Sequence, residues 1–519
     1  MKNRAPIVIP LVLWISILLG CNFPGLVRRP YEISADELRQ TLAAYATAQP
    51  TGGSLPVAPT GTISPAEHTT VANSTEIPPS CGLVIEDGET YQYCAQSGDT
   101  VTALALRFDV DTESITSWEP IPVDGFILPG QVLFIPKELD STLYGGSILP
   151  DSEVIYSPTA ANFDIQSYVQ NAGGFLSTYT ESVDGKLRSG VEIVQLVANE
   201  YSINPRLLLA FLESRSGWVL GEPNESGSLD YPIGFHAAGQ KGLFKELAMV
   251  GTHTTIGYYG WRSGALTELR FSDGTQARLN PLLNVGTAGI QNLFAKFYEQ
   301  DPWLEALYGP GNFSELYEQM FGNPWARASS IEPIFSPDLE QPELVLPFQP
   351  GQRWSLTAGP HDAWRTGSPR GALDLAPVSG EPECEPSRWW ATAVAPGVIA
   401  RSERSALVLD LDGDGFEGTG WTILYFHIAA EGSVPEGTQV GLNSPLGHPS
   451  CEGGRVTGRH MHIARKFNGE WIAADGPLPF VLGGWRAYAD ERNYYGELRN
   501  GNQVAVASPV GPHTSIVER

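Results

Sequence analysis

Hydrophobic positions divide the chain into stretches of different period. Ile7 to Gly20 is a continuous apolar run behind Lys2 and Arg4, too short for a comfortable membrane-crossing helix. Ser34 to Ala48 fits a short helix, with Ser34 as cap and Glu37 in the capping-box position. From Gln49 to Ser80 large apolar side chains give way to Pro, Thr, Ser, Gly and Ala, so this stretch has no core to bury and should stay extended. Val101 to Phe108 reads as a helix entered from the turn Gly98-Asp99-Thr100, with Leu104, Leu106 and Phe108 among its apolar positions. Gly130 and Pro136 bracket a strand. Between about Val154 and Met320 the period is helical. Val191 to Tyr201 is one helix, Asn204-Pro205 caps another over Arg206 to Glu213, and Leu279 to Thr287 opens a third running through Phe297. Pro324, Pro333, Pro337 and Pro342 then mark a linker. Beyond it Ala393 to Ile399 and Ser405 to Leu411 alternate like paired strands, and Thr422 to Ile428 is strand-like. The pattern predicts a multidomain α+β protein.

Length agrees, since 519 residues hold about three domains. A formal charge of −26 argues against nucleic acid as a partner. Of five cysteines, Cys21 closes the first apolar run in Leu18-Leu19-Gly20-Cys21. That segment resembles the bacterial lipoprotein signal, which implies cleavage before Cys21, its lipidation, and an exported, extracytoplasmic, membrane-anchored protein. The other four fall as Cys81 with Cys94 and Cys384 with Cys451, and two local disulfides are the economical reading. Zinc ligation by Cys384 and Cys451 is the alternative.

Tyr93-Cys94-Ala95-Gln96-Ser97-Gly98-Asp99-Thr100, followed by Leu128 to Pro136, resembles a LysM module. The resemblance implies a βααβ fold that binds N-acetylglucosamine-containing glycans, although Ser117-Trp118-Glu119 stands where members carry Asn. Ile203 to Trp218 resembles the catalytic-helix region of lysozyme-like lytic transglycosylases. Arg215 occupies the general-acid position before Ser216-Gly217, and Glu213 lies about 200° away round a helix. Arginine cannot protonate a glycosidic oxygen, so this unit reads as non-catalytic. His236 and His253 within it read as structural.

Histidine is scarce, nine in all, yet Gly458-Arg459-His460-Met461-His462 carries two on one face of a strand. Upstream stand His361, Asp374 thirteen positions later, and His427 at the end of Thr422 to Ile428. This ordered set, from about Leu344 to Tyr488, resembles the lysostaphin/LytM-type zinc endopeptidases, most closely their staphylolysin-like branch. The resemblance implies one zinc per chain on His361, Asp374 and His462, with His427 and His460 as unliganded catalytic histidines. It also implies an antiparallel β groove, in which Val434 to Gly441 and Pro445-Leu446-Gly447 form a hairpin before the His-x-His strand. Three protein ligands leave zinc a position for water, whose pKa falls toward neutrality.

Asp410, Asp412 and Asp414 alternate with glycines as calcium loops do, but Trp421 holds the twelfth position where a bidentate Glu is expected. Either a calcium site or a tight acidic hairpin fits. The division is then a signal peptide at 1–21, a flexible linker at 22–80, a LysM module at 81–140, a helical unit at 150–322, a Pro-rich linker at 323–343, a peptidase domain at 344–500 and a tail at 501–519. The functional expectation is a lipid-tethered hydrolase, docked on glycan by LysM, that cleaves peptidoglycan cross-links. A non-catalytic scaffold or hydrolase activator is the alternative from another class, and filled ligand positions favour the enzyme.

Overall fold

The computed structural model describes residues 86–87, 89–223, 229–378, 384–454, 456–509 and 514–519. The expected signal segment, Cys21, the 22–80 linker with its short helix, and Cys81 lie outside them. The described residues belong to one compact unit, Gly61–Arg519.

Near the start, β1 (Thr90–Cys94) and β2 (Val132–Pro136) pair antiparallel around α1 (Val101–Phe108). Thr100 caps α1 by accepting the Ala103 N–H, Leu104 and Phe108 are buried, and Leu106 is half exposed. Cys94 is in a disulfide. The expected second helix is instead a single 3-10 turn, Thr112–Ser114. Pro120 and Pro122 follow closely, and proline removes the donors a longer helix needs. This module is fastened to the rest by Arg107, fully buried, which pairs with Asp99 at 2.8 Å and donates to the Trp261 carbonyl at 2.8 Å.

The middle unit is built on α2 (Gly190–Tyr201), α3 (Pro205–Ser216), α4 (Leu243–Ser263) and α5 (Val285–Phe294). Ser189 and Glu192 close a capping box on α2, and Asn204 caps α3 ahead of Pro205. The third predicted helix starts later than Leu279, because Asn280 accepts the Leu282 N–H and holds a turn first, and it ends at Phe294. The long helix α4 has no counterpart in the sequence reading; it is apolar on several sides because both α5 and the peptidase sheet pack against it. Two hairpins, Thr180–Val183 with Lys186–Ser189 and Glu268–Arg270 with Gln276–Arg278, interrupt the helical pattern. Glu213 accepts the Val219 and Leu220 N–H groups, while Arg215 donates to the Ile233 carbonyl and the Tyr298 hydroxyl.

The Pro-rich stretch is anchored along its length. Pro324–Ala328 is a short helix, Ile334 and Phe335 are buried, and the Phe335 N–H donates to Ser97 Oγ at 2.9 Å. Gln341 then donates to the Val481 carbonyl at 2.8 Å.

The C-terminal unit is a nine-stranded antiparallel sheet among the described residues. Its strands include β3 (Arg353–His361), β4 (Ala372–Pro377), β5 (Gly397–Glu403), β6 (Ala406–Asp410), β7 (Trp421–Phe426), β8 (Met461–Phe467) and β9 (Ile516–Glu518). Neighbours run β5-β6-β7-β8-β4-β3-β9, with Gln439–Val440 outside β5. One face buries Trp354, Leu356, Leu373, Leu375, Ile423, Tyr425, Met461 and Ile463. Three expectations shift. The first strand of the paired set starts at Gly397 rather than Ala393, since Pro396 breaks the ladder and Ala393 bonds instead to Ser444. Gln439–Val440 pairs with β5 whereas Pro445–Gly447 pairs with Ala391–Thr392, so they do not form a hairpin with each other. Within the expected tail, Ile516–Glu518 is an edge strand on β3.

Candidate metal centre

Three adjacent strands converge on one point. His361 ends β3, Asp374 lies mid-β4 directly across from His462, and His462 stands near the start of β8. His361 Nε2 is 3.1 Å from His462 Nδ1 and 3.2 Å from Asp374 Oδ1, and His462 Nδ1 is 3.3 Å from the same oxygen. All three residues are buried. Met461, between the two histidines in sequence, points the other way into the core, as the two-residue period of a strand requires. His460 precedes β8 at a bridge to Ser450, yet its Nε2 reaches to 3.5 Å from Asp374 Oδ2. His427 follows β7 with a left-handed φ of 63°, and its ring lies 4.6 Å from that of His460.

The outer hydrogen bonds set which nitrogens face inward. His361 Nδ1–H donates to the Gly359 carbonyl at 2.9 Å, and His462 Nε2–H to the Ala363 carbonyl at 2.8 Å. In the same way His427 Nδ1–H donates to Glu452 at 2.7 Å and His460 Nδ1–H to Gly458 at 2.8 Å. Each ring therefore spends its one neutral-state proton on the backbone and turns a lone pair toward the site. Asp374 Oδ1, buried among these lone pairs, has no hydrogen-bond partner. Three convergent lone pairs with no proton between them repel unless a cation sits among them, and two imidazoles with one carboxylate are the donor set zinc takes. The residues fit the metal.

The electrostatics couple these groups: burial lowers His361, but Asp374 and the Gly359 carbonyl outweigh it and raise it. Burial raises Asp374, but His361 and His460 outweigh it and hold the carboxylate well below its usual range. Burial, with His460 alongside, lowers His427 to about 4. Burial also lowers His462, which keeps it a neutral ligand.

The remaining predicted residues fall elsewhere. Cys384 and Cys451 form a disulfide, which occupies both thiols and removes them as zinc ligands. Asp410, Asp412 and Asp414 lie together, and each accepts a backbone N–H, from Gly415, Asp414 and Phe416 among others. Glu417, the next acid, turns inward to Arg401 and Lys466. His253 is partly buried with its ring stacked on Phe235, and it belongs to neither metal-ligating cluster among the described residues. The sequence reading missed the carbonyls of Gly359, Ala363, Gly458 and Glu452, for which no residue-type signal exists, and Tyr494, whose ring stacks on His361 at 4.6 Å.

Residues 147–334 match the family described as LasA, N-terminal domain, and residues 93–136 match the LysM domain. Protease LasA of Pseudomonas aeruginosa is 24% identical over 372 residues, 67% of this chain and 81% of that protein. These likenesses support a LysM-containing metallopeptidase of the lysostaphin/LytM type. The metallopeptidase is also 27% identical over 159 residues to the beta-lytic metalloendopeptidase of Achromobacter lyticus, 29% of this chain and 39% of that protein. Among solved structures, the M23 metalloprotease pseudoalterin is 21% identical, covering 32% of this chain and 96% of its own with a TM-score of 0.28. The helical unit of the metallopeptidase thus corresponds to a LasA N-terminal domain, a likeness the lysozyme-like motif in α3 had not suggested.

Proposed function

We propose that this metallopeptidase is a cell-wall hydrolase, a zinc-dependent endopeptidase that cleaves the peptide cross-links of peptidoglycan. The observation that carries the reading is the convergence of His361 Nε2, His462 Nδ1 and Asp374 Oδ1, with every ring proton committed to backbone. His361, Asp374 and His462 would hold the zinc. When bound, zinc supplies a Lewis acid and a water of lowered pKa. His427, neutral at pH 7 because burial lowers it, offers Nε2 as a proton acceptor. His460 Nε2 lies 3.5 Å from Asp374 Oδ2, beside the metal-binding cluster. Two such histidines can move the proton from nucleophile to leaving amine.

The LysM match supports docking on glycan strands, which raises the local concentration of stem peptides. The lipobox supports a lipid tether at Cys21 and an extracytoplasmic location. No helix among the described residues is long and apolar enough to cross a membrane. Incubating the purified chain with peptidoglycan should release new amino termini and no new reducing ends. Binding to sacculi without release of either would favour the scaffold.

A further inference from the structure

His427 holds a left-handed backbone conformation, φ 63°, which is uncommon for a residue that carries a side chain. Such conformations persist where surrounding contacts over-determine them. Here the contacts come from Ser450, a serine of the peptidase sheet that is 1% exposed. Its N–H donates to the His427 carbonyl at 2.8 Å, and its Oγ donates to the same carbonyl at 3.0 Å.

The hydroxyl is used twice. Ser450 Oγ also accepts the Glu452 N–H at 3.1 Å, and the Glu452 carbonyl in turn receives the His427 ring proton at 2.7 Å. These bonds close a circuit in which the backbone and the imidazole of His427 are both fastened to Ser450-Cys451-Glu452, with one hydroxyl joining the two fastenings. The segment is anchored in its turn: the Pro449 carbonyl accepts the Ser387 N–H at 2.9 Å, Cys451 is bonded to Cys384, and Glu452 Oε2 accepts the Ala430 N–H at 2.9 Å. Ser450 also forms the bridge to His460, whose ring lies 4.6 Å from that of His427. With its proton on a carbonyl, this buried hydroxyl is not free to act as nucleophile or proton carrier.

We infer that Ser450 is a positioning residue for the reaction. Its hydroxyl fixes the Glu452 carbonyl relative to the His427 backbone, which keeps the His427 proton on Nδ1 and turns Nε2 toward the site. Through its bridge to His460 the same residue sets the spacing of the two unliganded histidines. This role rests on the peptidase reading above, but the geometry behind it can be tested without cleavage.

The test uses the full chain and Ser450→Ala, which removes the hydroxyl and keeps the N–H that meets the His427 carbonyl. The expected result is a kcat about 10–100-fold lower with KM within about twofold, as for a catalytic group displaced from its working geometry. Alongside it, long-range proton–nitrogen spectra of labelled histidine, taken on the zinc-free chain, should show a single Nδ1–H tautomer of His427 in the unaltered chain and its loss in the variant. An unchanged His427 signature overturns the inference, whatever happens to kcat. Should Ser450→Ala not fold, Ser450→Gly removes the same hydroxyl, with the same two expectations. If the unaltered chain releases no amino termini, the peptidase reading fails, and the spectra alone decide whether Ser450 orients His427.

Discussion

Glu417 offers the sharpest test of how the sheet behind the metal centre is held. Its carboxylate is buried between Arg401 on β5, at 2.8 Å, and Lys466 on β8, at 2.7 Å. Lys466 stands on the same strand as His462, so the triad ties the strand carrying that candidate ligand to the far side of the sheet. Burial raises Glu417, but Arg401 and Lys466 outweigh it and hold it at about 2, against a usual 4.5. Lys466 is itself lowered, because burial exceeds what a shared carboxylate returns to a second cation. A depression of that size is about 3 kcal/mol of stability. Since the folded-state pKa is the lower one, this contribution is complete above about pH 5 and is lost as pH falls toward about 2. Glu417→Gln leaves two buried cations without a counter-charge, which costs about 3–5 kcal/mol where a buried pair is broken. Urea unfolding at pH 7, followed by tryptophan fluorescence, should show that loss, and the gap between variant and unaltered chain should shrink as pH drops from 5 to about 2. A difference under about 1 kcal/mol, or one that does not depend on acid pH, would refute the reasoning.

Other outcomes follow from the same geometry. His427→Ala and His460→Ala should each lower cleavage by about 10²–10⁴-fold while zinc content, measured by metal analysis, stays at that of the unaltered chain. Replacing Cys384 and Cys451 by Ser opens a loop closed over a separation of 67 residues, and the unfolding free energy should fall by about 4 kcal/mol. Because Cys451 adjoins Glu452, kcat should fall with it. The Asp410 loop is tested by Asp412→Asn with Asp414→Asn: if it binds calcium, added calcium raises the melting temperature of the unaltered chain and not of the variant. Equal insensitivity in both removes calcium from the account.

The His460-Met461-His462 pair was legible because strand geometry converts spacing into direction, whereas His361, Asp374 and His427 entered only through the family resemblance. A two-residue period puts His460 and His462 on one face, and the antiparallel register then sets Asp374 opposite His462. What positions those rings was not legible. The acceptors are carbonyls of Gly359, Ala363, Gly458 and Glu452, and every residue carries a carbonyl. Helix α4 escaped notice for a related reason: packed against α5 and the peptidase sheet, it lacks the one-sided stripe that marks a surface helix. Proline content misled at one place and was overridden by the family resemblance at another. It signalled a linker where Ile334 and Phe335 are buried, and its weight at Pro120 and Pro122 should have ruled out a second LysM helix. The turn at Arg404-Ser405, where both residues have positive φ, contradicts local preference outright, and its contacts come from Asp184, Glu200, Phe244 and Glu452, all remote in sequence.

The most direct test of the central claim is the zinc content of the purified chain and of His462→Ala, paired with amino-terminus release from peptidoglycan. The account predicts about one zinc per unaltered chain with cleavage, and loss of both in the variant. Cleavage that survives the substitution, or a chain that takes up no zinc, would contradict it.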